Sequence, residues 1–277
     1  MQKIEITLPK FLGREDRGSA ESLAVEEPLE IRLASSGNSE KSQAVSITMR
    51  TPGHDAELAV GFLFGEGILK KRSDILEVLP CGPKKESNQA SNTIKVILSP
   101  EVQPDLDRLQ RNFYATSSCG VCGKASLDAL EAEGLQSVTN DEVTLSQQLL
   151  QALPERLRAN QHGFNSTGGL HATGLFTTDG ELLLAREDVG RHNAMDKVIG
   201  QAFLNGDPHL SNRIMLVSGR ASFELVQKAL MAKIPFLAAV GAPSSLAYSM
   251  AKRYNMTLVG FLKPGRFNCY HGDWRIS

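Results

Sequence analysis

The chain has few cysteines, no long apolar run and no excess of charge of either sign. Four cysteines in 277 residues (Cys81, Cys119, Cys122 and Cys269) are too few for a disulfide-stapled secreted scaffold. A chain of this length buries a core without such staples. No apolar stretch approaches the roughly 20 residues that span a bilayer. The opening Met1-Gln-Lys-Ile-Glu-Ile-Thr-Leu turns charged where a secretory signal would run basic, then apolar, then small. A soluble, cytoplasmic protein is expected, with no membrane partner. Thirty basic and 31 acidic residues leave a net charge of −1, without the positive surplus of a general nucleic-acid binder. Anions, if recognised at all, must meet basic groups gathered locally in a pocket. No repeat or low-complexity tract is present.

The first part reads as an antiparallel sheet with one helix. Pro28–Leu33 and Ala44–Met49 alternate apolar and polar residues, the period of half-buried strands, across the turn-forming 35–40. A helix is expected after Thr51-Pro-Gly-His-Asp55, burying Leu58, Ala59, Phe62 and Leu63, with Asp55 and Glu57 in its first turn. Gly61, Gly65 and Gly67 weaken that helix and point to close packing near its end. Ile75–Leu79 and Thr93–Leu98 complete the strands. A junction follows over about 100–125. Leu145, Leu149, Leu150 and Leu153 then keep helical spacing until Pro154 is expected to interrupt it. From about 165 the rhythm becomes strand, helix, strand, helix. Leu182–Ala185, Ile214–Val217, Phe236–Val240 and Thr257–Phe261 are the expected strands, the first a buried one. That alternation predicts a largely parallel sheet covered by helices on both faces.

Ligands of open α/β sheets bind beyond the carboxyl ends of the strands. Those ends carry Arg186–His192, with Asp188 as the expected helix cap, then Ser218–Ser222, Gly241–Ser245 and Lys263–Arg266. Glycines allow close backbone approach, helix N-termini offer free N–H groups, and arginine forks match phosphate oxygens. The set describes a rim for a phosphorylated or nucleotide-like ligand, with Arg191, His192, Arg220, Lys263 and Arg266 as its polar groups. His171 and His192 are expected to hydrogen-bond near that rim rather than ligate metal, and His54 to serve its turn. Cys81 and Cys269 read as incidental thiols.

Cys119 and Cys122 stand three positions apart in Thr116-Ser-Ser-Cys-Gly-Val-Cys-Gly123. Such a pair is half of a zinc site, a redox dithiol or a sulfur-carrying thiol. A second Cys-x-x-Cys is missing, and so is any His-x-Glu or Cys-x-Glu, which a zinc deaminase requires. A thioredoxin-like pair would follow a strand and open a helix, whereas this one sits between glycines. Nucleophilic thiolates in a glycine-flanked loop suit the acceptance and delivery of sulfur; spacing alone leaves the choice open.

Taken together, the motifs resemble the FdhD/NarQ family of formate dehydrogenase accessory sulfurtransferases. The matching stretches are Pro52–Leu63 with Glu66–Ile68, Ser118–Gly123, Glu187–His192 with Asp196 and Lys197, Ser218–Ser222, and Val259–Arg266. The resemblance implies a cytidine deaminase-like α/β domain over 113–277, with a parallel or mixed sheet, helices on both faces and the Cys-x-x-Cys loop at 116–123. A smaller α+β domain over 1–112 precedes it. It implies a homodimeric sulfurtransferase that takes sulfur from a cysteine desulfurase as a persulfide on Cys119, assisted by Cys122. The sulfur then passes to a bis-molybdopterin guanine dinucleotide cofactor (molybdenum or tungsten) before that cofactor enters formate dehydrogenase. Phe261, Leu262, Lys263, Pro264, Gly265 and Arg266 match the family's cofactor-binding stretch. Guanine nucleotides would mimic the cofactor, and no metal is held permanently. The rivals are a cofactor-binding chaperone without catalysis and a zinc hydrolase of the deaminase class. Cys269, beside the binding stretch, departs from the family pattern and reads as incidental.

Overall fold

The computed structural model describes residues 3–7, 20–38, 41–82, 91–104, 135–138 and 143–277. Its first strands, β1 (Lys3–Thr7) and β2 (Ala20–Ala24), form an antiparallel pair. A four-stranded sheet follows, built from β3 (Glu27–Ser35), β4 (Ser42–Arg50), β5 (Ile75–Cys81) and β6 (Thr93–Leu98) in the order β4-β3-β6-β5. Alternation in β3 puts Leu29, Ile31 and Leu33 into the core. The expected antiparallel sheet is in fact mixed, because β3 and β6 run parallel. Between the β3–β4 and β5–β6 pairs lies α1 (Asp55–Gly65), which carries the chain across the sheet, so β6 arrives beside β3 in the same direction.

Helix α1 is apolar nearly all round, which suits burial on more than one side. Leu58, Ala59, Val60, Leu63 and Phe64 are all buried, and Phe62, expected on the inner face, is half-buried. One side covers the four-stranded sheet. The other crosses α4 (Arg191–Leu204) at two glycines. A Cβ on Gly61 would overlap the Asp196 carbonyl, and one on Gly200 would overlap the Glu57 carbonyl. The close packing foreseen near the end of α1 therefore lies at its middle.

The second sheet has six strands, β7 (His171–Phe176), β8 (Leu182–Asp188), β9 (Ile214–Val217), β10 (Phe236–Ala239), β11 (Thr257–Lys263) and β12 (Arg266–His271). Their order is β12-β11-β10-β9-β7-β8. Only β9, β10 and β11 are mutually parallel. The β7–β8 and β11–β12 connections are too short for a crossover and make antiparallel hairpins instead. Strands β7 and β12 were not expected from the sequence. Leu182–Ala185 is also no buried central run: β8 is the sheet edge, and Leu183 is 44% exposed.

Helices cover both faces, as expected. On one side α4, α5 (Phe223–Met231) and α6 (Ser245–Arg253) pack on Leu175, Met215, Val217, Leu237 and Leu258. On the other, α2 (Gln147–Ala159) lays Leu150, Leu153 and Leu157 over Phe176, Leu216, Phe236 and Val259. Pro154 does not interrupt α2; the buried leucine face outweighs the one backbone hydrogen bond proline forgoes. Ser146 caps α2 by accepting from the Leu149 N–H at 3.2 Å. Leu145, expected in the helix, instead pairs with Ile276 at the C-terminus. A short α3 (His162–Thr167) leads into β7. Among the described residues no helix is long and apolar enough to cross a membrane.

Candidate functional site at the carboxyl edge of the six-stranded sheet

Four connections meet where β8, β9, β10 and β11 end, the edge singled out in the sequence. After β8, the buried Asp188 fixes the entry to α4. Its Oδ1 accepts from the Gly190 N–H at 2.8 Å and from Asn193 Nδ2 at 3.0 Å. Its Oδ2 accepts from the Thr51 N–H at 3.1 Å and pairs with Lys197 at 2.7 Å. Asp188 was expected as the helix cap; that position belongs to Gly190, and the carboxylate instead ties β8 to the loop before α1. Lys197 is itself fully buried and donates to the Thr51 carbonyl at 2.9 Å.

This scaffold presents Arg191 and His192 at the N-terminus of α4. Arg191 Nε is buried without a hydrogen-bond partner among the described residues. Gly219, in the loop after β9, lets His171 approach closely: a Cβ there would lie 3.3 Å from His171 Nδ1, with Arg191 Cδ in ordinary contact at 4.0 Å. Burial, together with the Arg191 charge, pulls the His171 pKa below its ordinary value. His192 Nε2 lies 3.2 Å from Ser222 Oγ, at the N-cap of α5. Burial, reinforced by Lys228 and Arg191, lowers the His192 pKa to about 4, so its imidazole is neutral near pH 7. Asp196, one turn into α4 and wholly buried, is pushed up to about 6 by burial even though Lys228 sits 2.7 Å away. His54 occupies the left-handed N-cap of α1 and touches Glu57 at 3.0 Å, away from the edge.

The edge glycines have a use the sequence reading did not assign. Gly241 donates to the Gly219 carbonyl at 2.9 Å, and Phe261 donates to the Gly241 carbonyl at 3.0 Å. A Cβ on Gly241 would meet the Gly219 carbonyl at 2.9 Å, and one on Gly260 would meet Pro243 at 2.8 Å. These residues let three loops approach one another. Arg220 lies over Gly241 and is exposed.

The β11–β12 hairpin carries the remaining expected residues. A bulge between Gly260 and Lys263 breaks the strand register. It shifts the facing parity, so Leu262 joins Val259 in the α2-side core while Phe261 turns outward and is 37% exposed. Phe261 holds φ at +52°, the left-handed region that favours glycine. Lys263, Pro264, Gly265 and Arg266 are exposed at the tip. The Gly265 N–H donates to Gln151 Oε1 at 3.2 Å, drawing the tip towards α2. The expected rim is therefore divided: Arg191 and His192 stand on the α4–α5 side, and Lys263 with Arg266 on the α2 side.

On the α2 side the edge opens into a cavity of about 610 Å³. Arg158, Gln161, Phe164 and Ser218 line it, together with Gly168 and Leu170. The sequence reading missed the first three, although they recur every third residue just ahead of Gly168-Gly169. The Arg158 guanidinium lies 4.1 Å from the Phe164 ring centroid. Glu187 fixes α3 by accepting from the Gly163 and Phe164 N–H groups at 2.8 and 2.7 Å.

Cys119 and Cys122 lie outside the described residues. Cys81 is half-buried in β5, and Cys269 is exposed on β12. Burial, with Asp273 nearby, pushes the Cys269 thiol upward in pKa, which makes it a poor nucleophile. Among the described residues no cluster of three or more His, Cys, Asp or Glu side chains is arranged to hold a metal.

Comparison with known proteins gives one consistent result. The model of the FdhD/NarQ family matches residues 24–277. Sulfur carrier protein FdhD of Mycobacterium tuberculosis is 51% identical over 261 residues, covering 93% of this chain and 92% of that one. The protein of the same name from Streptomyces coelicolor is 50% identical over 260 residues, 93% of this chain and 89% of its own. That of Saccharolobus solfataricus is 41% identical over 254 residues, 92% and 90% of the two chains. A crystal structure from Desulfotalea psychrophila, assigned as a formate dehydrogenase accessory protein, superposes with a TM-score of 0.71 at 27% identity. It covers 100% of this chain and 98% of its own.

Proposed function

The chain belongs to the FdhD/NarQ family, and from that premise we propose that it carries sulfur to a nucleotide-bearing metal cofactor destined for formate dehydrogenase. The Cys119 thiolate attacks the outer sulfur of a cysteine desulfurase persulfide. A Cys119 persulfide forms, and the desulfurase leaves as a thiolate. Attack by the Cys122 thiolate on the Cys119 sulfur then closes a disulfide and releases the outer sulfur as sulfide to the metal. A cellular dithiol reduces that disulfide for the next cycle. The acceptor substrate is bis-molybdopterin guanine dinucleotide, which guanine nucleotides mimic. Residues 113–277 act as a cytidine deaminase-like domain, after an α+β domain over 1–112, in a cytoplasmic homodimer.

One observation supports the acceptor side. Arg191, Arg220, Lys263 and Arg266 all stand at the carboxyl edge, and none lies within ion-pair distance of a carboxylate among the described residues. Unmatched cations beside the N-termini of α4 and α5 suit a diphosphate. The buried, unbonded Arg191 Nε supplies a donor for it. Phe261 to Arg266 would meet the same ligand from the hairpin, and His192, neutral, would add a hydrogen bond without charge.

Mass spectrometry after incubation with desulfurase and cysteine tests the donor half. One added sulfur is expected on Cys119, and Cys119→Ala should lose it together with formate dehydrogenase maturation while retaining GDP binding. Full maturation by Cys119→Ala would overturn the mechanism. Nucleotide binding without any persulfide would leave a cofactor chaperone in its place.

A further inference from the structure

We propose that Ser222, Glu224 and Lys228 of α5 are positioning residues that hold His192 as a single neutral tautomer, with its proton on Nε2 and its lone pair on Nδ1. The inference rests on the acceptor reading above. It adds which ring nitrogen serves the ligand and what keeps that nitrogen ready.

Helices α4 and α5 meet in two polar rungs. His192 and Asp196 stand four residues apart on α4, and Glu224 and Lys228 four apart on α5, so each pair shares one helix face. In the first rung His192 Nε2 lies 3.2 Å from Ser222 Oγ and 3.8 Å from Glu224 Oε2. In the second, Lys228 Nζ lies 2.7 Å from Asp196 Oδ1.

The first rung fixes the tautomer. Burial pushes the Glu224 pKa up, yet hydrogen bonds from its own N–H and from Ser222 hold it below the ordinary value. An ionised carboxylate can only accept, so the bond from Ser222 uses the one proton of that hydroxyl. Ser222 Oγ then has only lone pairs to offer His192, and Nε2 must bring the proton. Nδ1 is left as the acceptor of the ring.

The second rung keeps that lone pair free. A protonated ring has no acceptor. Burial opposes protonation first, followed by Lys228 from α5 and Arg191 from α4, while Glu224 favours it and His171 from β7 opposes it. Lys228 is therefore the charge that most offsets Glu224. Its ammonium cannot turn away. Asp196 holds it, the Phe62 ring lies 5.8 Å off, and a Cβ on Gly65 would come within 3.1 Å of it. Only 11% of the Lys228 side chain is exposed. Burial pushes the Asp196 carboxyl up to about 6, so its ionised form is costly there. Buried ion pairs add little to stability; this one is explained by the charge it fixes beside His192.

Nitrogen NMR of the full-length protein with labelled histidine tests the assignment without any ligand. His192 should carry its proton on Nε2 and leave Nδ1 bare at neutral pH. Ser222→Ala should mix the two tautomers. Lys228→Met, combined with Asp196→Asn so that no buried charge is left unpaired, should raise the pH at which the ring protonates by about one unit. Asp196→Asn alone keeps the Lys228 charge and should not raise it, and neither should Lys228→Arg. A proton on Nδ1 in the unaltered protein would overturn the proposal. So would equal protonation midpoints in the double variant and in Asp196→Asn. Calorimetry with GDP tests the use of the lone pair, because an asparagine amide stands near the place of Nδ1 and a glutamine amide near that of Nε2. His192→Asn should stay within a few-fold of the unaltered protein, and His192→Gln should bind about tenfold more weakly. The reverse order would overturn the Nδ1 contact. Absence of GDP binding by the unaltered protein would overturn the acceptor reading, and the tautomer would still be decided by the NMR result.

Discussion

Where α1 meets α4 the charges come in matched ion pairs, whereas at the carboxyl edge of the six-stranded sheet four cations form none among the described residues. In the first region Arg50 pairs with Asp55, Arg186 with Glu57, Lys197 with Asp188 and Lys228 with Asp196, at 2.6–2.9 Å. Glu57 illustrates the balance: burial pushes its pKa up, yet hydrogen bonds from His54 and Arg186 hold it below the ordinary value. In the second region Arg191, Arg220, Lys263 and Arg266 make no such ion pair among the described residues. Cationic side chains are thus put to two uses in one fold, as structural ties where they are paired and as open donors where they are not.

Substitutions can break that contrast. Asp188→Ala leaves Lys197, 1% exposed, as an uncompensated buried charge, and should cost about 3–5 kcal/mol in urea denaturation. Arg220→Ala should stay within about 0.5 kcal/mol of the unaltered protein. Equal losses in the two would erase the distinction. A smaller effect separates the regions by pH. The unfolded chain protonates His192 near its ordinary 6.5, whereas the folded protein resists until about 4. Stability held by the neutral ring is therefore lost as pH falls from 6.5 towards 4. His192→Gln has no such proton, so its stability relative to the unaltered protein should rise across that window. The ring is 35% exposed, so the gain is trimmed to about 1 kcal/mol. Parallel pH curves for the two proteins would contradict it. The smallest effect concerns Phe261. Glycine accepts its positive φ without strain, so Phe261→Gly should gain about 0.5–1 kcal/mol in thermal unfolding while weakening GDP. A loss of stability would make the ring a structural element.

Much of this was legible in the sequence. Alternation placed β3 and β4, the apolar runs placed β9, β10 and β11, and glycine-containing loops marked the functional edge. What escaped has specific causes. The antiparallel partners β7 and β12 are hidden among glycines, cations and polar residues at the site itself, where period-two alternation gives way to function. Pro154 is tolerated because tertiary burial of Leu150, Leu153 and Leu157 overrides a local penalty. The cavity lining of Arg158, Gln161 and Phe164 escaped because it exists only once α2 and α3 are in place. The sequence marks the edge glycines as openings for a ligand, and Gly241 and Gly260 also let neighbouring loops touch.

The glycine crossing of α1 and α4 also governs the order in which the chain can assemble. Its hydrogen bonds join residues far apart, Arg186 to Glu57 across 129 positions and Lys197 to Thr51 across 146. Contacts of such separation form slowly, because the loop must close before any of them repays its entropy. During synthesis α1 emerges with Glu57 lacking Arg186 and its groove at Gly61 empty, and α4 follows only after more than a hundred further residues. The first half of the molecule therefore cannot reach its final state alone. It waits, with an apolar helix uncovered, for the second half to arrive, and the interval is its period of greatest exposure to aggregation.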